Sequence, residues 1–106
     1  MINITFKPET LELEVKGHAE FKKNGEDIVC AAISALFYTL AQSLVDSEEM
    51  LIEAPAFKEE NGNGYISSKP KKEFEGNIQR SYWTILVGME LIANEYKDFV
   101  KLTLMG

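Results

Sequence analysis

The period of the hydrophobic pattern changes from two to about 3.6 residues twice along this chain and returns to two each time, which commits it to a mixed architecture. Ile2, Ile4 and Phe6 alternate with other residues until Pro8, and Leu11, Leu13 and Val15 alternate with Glu12, Glu14 and Lys16. These predict two strands of a hairpin. Gly17 to Gly25 has no sustained period and holds an Asn24-Gly25 turn signal, so it reads as a loop. From Asp27 to about Val45 the spacing of Val29, Ile33, Leu36, Phe37, Leu40 and Leu44 is helical.

Met50 to Ala56 and Tyr65 to Ser68 read as two shorter strands, joined by a polar, mobile tip from Lys58 to Gly64. Phe74, Ile78, Tyr82, Ile85, Met89, Ile92 and Tyr96 recur at three and four and give a second helix; Val100, Leu102 and Leu104 close in alternation. The order ββαββαβ predicts an α+β fold, a mixed five-stranded sheet with both helices packed on one face. A chain of 106 residues fits one domain, residues 1–106.

Eleven Lys and Arg against seventeen Asp and Glu, a formal net charge of -6, lack the basic footprint of a nucleic-acid-binding domain. A partner drawn by long-range charge is then basic. The first residues carry no signal-peptide pattern, and Ser34, Gln42 and Ser43 interrupt the most apolar run, so neither secretion nor a membrane span is expected. One Cys and one His make neither an internal disulfide nor a metal cage, which fits a reducing cytoplasm and predicts no metal and no cofactor.

The remaining chemistry belongs to one pair, His18 and Cys30. If the helix starts with its apolar stripe, Cys30 falls in the first turn. Unladdered N–H groups and the helix dipole there favour a thiolate, and those N–H groups, that of Cys30 included, are donors for an oxyanion. From local features alone the cysteine reads more readily as a small buried hydrophobe, and His18 by default as a surface-loop residue. Asp27 fits either a helix N-cap or an orienter of the imidazole. Ser34, one turn after Cys30, either meets the thiol or packs beneath the helix. Glu9, Glu12 and Glu14 read as a solvated strand face, and Tyr82, Trp83 and Met89 as core or flanking residues of the second helix.

Gly17-His18-Ala19, followed after a short loop by Gly25-Glu26-Asp27-Ile28-Val29-Cys30-Ala31-Ala32-Ile33-Ser34-Ala35-Leu36, closely resembles the signature of the Prp family of bacterial ribosomal-processing cysteine proteases. The strand order and the passage from Asn94-Glu95-Tyr96 into the last strand extend the resemblance over the whole chain. It implies a protease that removes the N-terminal extension of large-subunit ribosomal protein twenty-seven in bacteria of the Firmicutes type. By position it implies Cys30 as nucleophile and His18 as general base, with Gly17, Asp27 and Ser34 in support. The residues from Ala19 to Glu26, Phe21 and Gly25 among them, would form a loop ordering over substrate. The resemblance also suggests a homodimer. Two other functions compete: a non-catalytic ribosome-assembly binder using the same loop, and a redox-sensing thiol protein.

Overall fold

A computed structural model describes residues 1–17 and 26–106, with side chains from Ile28 onward in the second segment. Five strands, β1 (Ile2–Lys7), β2 (Glu12–Lys16), β3 (Ala56–Glu60), β4 (Asn63–Ser67) and β5 (Val100–Leu104), form one sheet in the order β3-β4-β2-β1-β5. Every pairing is antiparallel except that of β1 with β5, so the sheet is mixed as expected. Two 21-residue helices, α1 (Glu26–Asp46) and α2 (Glu75–Glu95), complete the predicted ββαββαβ order.

Alternation decides which sheet face the helices cover. Ile2, Ile4 and Phe6 on β1, and Leu13 and Val15 on β2, are all at most 4% exposed, while their strand neighbours stay in contact with solvent. They meet Val29, Ile33, Phe37, Leu40 and Leu44 of α1 and Ile78, Tyr82, Ile85, Leu86 and Met89 of α2 in one core. By length and composition Ile28–Asp46 is apolar enough to cross a membrane, which the interruptions at Ser34, Gln42 and Ser43 do not prevent. The fold uses it as a core helix with one fully buried stripe.

The second hairpin differs from expectation. Met50 ends a short 3-10 turn (Glu48–Met50), and Leu51 makes only an isolated bridge to Pro70, so the strand predicted from Met50 to Ala56 lies later, at Ala56–Glu60. The polar tip predicted from Lys58 to Gly64 is mostly strand: Glu60 pairs with Asn63 across a two-residue turn, Asn61-Gly62. Both turn residues have positive φ, 51° and 80°, as a type I′ hairpin turn requires. All of β3 is exposed, so its side chains carry no alternation from which to read it.

Two glycines mark close approaches between layers. A Cβ on Gly64 would stand 2.5 Å from Phe37 Cζ, and one on Gly88 would stand 3.1 Å from a Leu36 methyl, so α1 sits tightly on β4 and on α2. On the open sheet face Glu12 is more than a solvated charge: Thr10 and Tyr65 both donate to it, the latter at 2.7 Å. Those two bonds, Thr10's first, hold its carboxyl below the usual range.

Among the described residues Tyr82 is the largest fully buried side chain, and its hydroxyl shares a 2.8 Å hydrogen bond with that of buried Ser68. Burial pushes the phenol up to about 12, against the opposing effect of the Ser68 bond. An unfolded chain gives up this proton near pH 10 and the folded one near 12. The stabilising difference is therefore whole below pH 10 and lost as pH rises to 12, about 2–3 kcal/mol in all. Thermal melts between pH 8 and 12 should show Tm dropping through that window in wild type and dropping less in Tyr82→Phe; parallel curves would refute it.

Candidate active site

Gly17 follows Lys16, the last residue of β2. Its φ is +84°, and a Cβ there would lie 2.8 Å from the Met1 carbonyl oxygen, so both the backbone conformation and the space call for glycine. Its N–H donates to Asn63 Oδ1 at 3.0 Å, tying the exit of β2 to the start of β4. Asn63 is a positioning residue that the sequence reading missed; the Asn61-Gly62 turn just before it is the only local signal. Gly17→Ala should cost about 1–3 kcal/mol through backbone strain, lowering Tm by several degrees. An unchanged melt would show that the left-handed conformation is not required.

The sheet register shows toward which end α1 begins. Phe37 lies over Gly64, which pairs with Val15; Leu44 and Val45 line a cleft with Ile66, which pairs with Leu13. The helix thus runs away from the Gly17 end of β2, and its first turns lie toward that end. Helix α2 runs the other way: Tyr82 and Trp83 pack on Phe6, at the far end of β1, and the chain then enters β5 with Val100 beside Ile2. The start of α1, the end of α2 and Gly17 therefore belong to one end of the domain.

Among the described residues α1 runs Glu26–Asp46. Asp27 already lies within the helix, which removes the N-cap role, and its side chain lies outside the described residues. Cys30 follows Glu26 by four residues, so its own N–H enters the i→i−4 ladder and is not an oxyanion donor. The N–H groups without ladder partners are those of a helix's first turn. Helical side chains lean toward the N-terminus, so Cys30 leans toward that end of α1.

Cys30 is half-buried and packs against the core beside fully buried Val29 and Ile33. Ser34, also half-buried, follows on the same flank one turn later. The fold thus presents the thiol at the rim of the core, neither wholly enclosed as a packing residue nor out in solvent. Its proposed companion His18, and Ala19, Phe21 and Gly25 of the predicted substrate loop, lie outside the described residues.

Comparison with known proteins bears on this arrangement. The family model described as cysteine protease Prp matches residues 1–101. The ribosomal processing cysteine protease Prp of Bacillus subtilis is 28% identical over 98 residues, spanning 88% of this chain and 84% of that protein. Its Staphylococcus aureus counterpart is 23% identical over 101 residues, 95% of this chain and 92% of that one. The crystal structure of the S. aureus protease with a covalently linked product peptide superposes with a TM-score of 0.76 at 23% identity, covering 99% of this chain and 100% of that one. A Streptococcus mutans protein structure superposes with a TM-score of 0.73 at 23% identity, over 98% and 91% of the two chains.

Proposed function

The chain belongs to the Prp family of cysteine proteases, and on that premise we propose that Cys30 and His18 cut the N-terminal extension from large-subunit ribosomal protein twenty-seven. The observation that carries the assignment is the half-buried Cys30, leaning toward the N-terminal end of α1 at the end of the domain where Gly17 precedes His18. His18 takes the thiol proton, and the sulfur attacks the scissile carbonyl carbon. First-turn N–H groups bind the oxygen as it becomes negative. The tetrahedral intermediate then collapses, breaking the C–N bond while His18 protonates the leaving amine. Water, deprotonated by His18, attacks the thioester, and its C–S bond breaks to release the acid and restore the thiol. Gly17 positions the base, and Asp27 and Ser34 support the loop and the thiol.

The substrate choice rests on the family resemblance and on what the B. subtilis and S. aureus relatives are named for. Mass spectrometry of the extended ribosomal protein after incubation under reducing conditions tests it: a single N-terminal cut is expected. Stoichiometric binding with no product would instead favour the assembly-binder reading, and affinity that changes after peroxide treatment the redox-sensor one. A cytoplasmic location and a homodimer complete the proposal; the exposed apolar line Trp83, Val87 and Leu91 along α2 supports the second.

A net charge of -6 against a basic ribosomal protein predicts electrostatically assisted capture. Stopped-flow association rates should fall as salt rises from about 50 to 500 mM, because the Debye length shrinks severalfold across that range. A flat response would remove charge from the capture step.

A further inference from the structure

The flank of α1 that carries Cys30 continues into an apolar cleft that nothing in the reaction above uses. At about 100° per residue, Cys30, Ser34, Tyr38, Ala41 and Val45 fall within about 80° of arc. That this flank faces β3 is fixed by ring contacts: Phe57 lies 5.7 Å from Phe37 and 6.1 Å from Tyr38, centroid to centroid. Farther along, Tyr38, Ala41, Val45, Pro55, Phe57 and Ile66 line a cavity of about 240 Å³. Tyr38, Val45 and Phe57 are large apolar residues kept 42–51% exposed around it. The alternative face of α1, toward α2, is closed by Leu36 on Gly88.

We propose that this cleft between α1 and β3 is a distal substrate subsite, which takes an apolar side chain about five residues from the scissile bond. The inference rests on the protease reading and deepens it. Eleven helical residues separate Cys30 from Ala41, about 16 Å at 1.5 Å per residue. Extended peptide covers that distance in about five residues at about 3.3 Å each. An extended peptide seated on the Cys30 thiol and following this flank therefore reaches the cavity without a turn. The occupant is peptide because the cleft lies on the same helix flank as the thiol, at a distance an extended chain spans. Its other wall is β3, an edge strand whose five residues are all exposed, the kind of surface along which extended chains align. The side chain is apolar because the walls are, Gln42 being the polar exception.

The test uses the full chain with Cys30→Ala, so that binding is read without turnover. One fluorescent peptide spans the extension junction of the ribosomal protein with seven residues on each side; a second keeps three on each side. Anisotropy should show the long peptide binding at least about tenfold tighter. Adding Val45→Asp should bring the long peptide to the level of the short one and leave the short one unchanged. Phe57→Ser, on the opposite wall, repeats the test should Val45→Asp disturb folding. Equal affinities for the two peptides, or equal losses for both, would overturn the subsite. Peptides lengthened on one side at a time show whether the residue precedes or follows the cut. Wild type that leaves both peptides uncut, with the length dependence intact, would defeat the protease reading and not the cleft.

Discussion

Cys30→Ala should yield no detectable cleavage product under conditions where wild type converts the extended ribosomal protein completely. The sulfur is the atom to which the acyl group would be transferred, and no second thiol exists in the chain to replace it. Loss of a nucleophile removes most of an enzyme's rate enhancement, commonly about 10⁴-fold or more. Cys30→Ser is the sharper variant, since it keeps size and a polar hydrogen but exchanges a weakly held proton for a strongly held one. It too should fall below detection. Both should melt within a few degrees of wild type, because a half-buried cysteine contributes little packing. His18→Ala should keep peptide affinity and lose acylation, visible as absence of a burst. Cleavage by purified Cys30→Ala would end the assignment.

Phe6→Ala should be the most damaging single change to the fold. Phe6 is wholly buried, stacks on Tyr82 with centroids 5.5 Å apart and an interplanar angle of 22°, and meets Trp83 edge-on at 5.3 Å. It joins the interior strand β1 to the middle of α2. Such truncations cost about 3–5 kcal/mol, a large share of the roughly 5–15 kcal/mol that holds an ordinary domain folded. Urea unfolding should show the midpoint falling with the slope unchanged. The control is Phe57→Ala, whose ring is 45% exposed and should cost under about 1 kcal/mol. Similar losses for the two would mean that the core does not centre on β1.

Where side chains report their own burial, the sequence pattern found the right element. Ile2, Ile4 and Phe6, and Leu13 and Val15, alternate because one sheet face is covered, and the stripe from Val29 to Leu44 recurs because one helix flank is. Strand β3 reports nothing of the kind: it is exposed on both faces, and only Asn61-Gly62 marks its hairpin. Placing that strand at Met50–Ala56 also hid the cleft, because Tyr38, Ala41 and Val45 acquire an opposite wall only when Phe57 lies in β3. In the site, Gly17 was legible as a family position, but its need for a positive φ and its contact with the Met1 carbonyl depend on tertiary structure. That Glu26 and Asp27 already belong to α1, which takes the Cys30 N–H into the ladder, was not legible because a hydrophobic pattern marks helix ends only to within a residue or two.

The pairing of β1 with β5 joins Ile2 to Val100 and Phe6 to Leu104, segments nearly the whole sequence apart. Strand β1 therefore gains its second neighbour only from a segment made almost a hundred residues later. Closing so long a loop must be accomplished before the contact rewards it, which raises contact order and slows folding. Until β5 is in place, the end of the sheet that holds Gly17 has one seam open beside Ile2 and Asn3. A chain that has not yet made β5 therefore has this end of the sheet still incomplete.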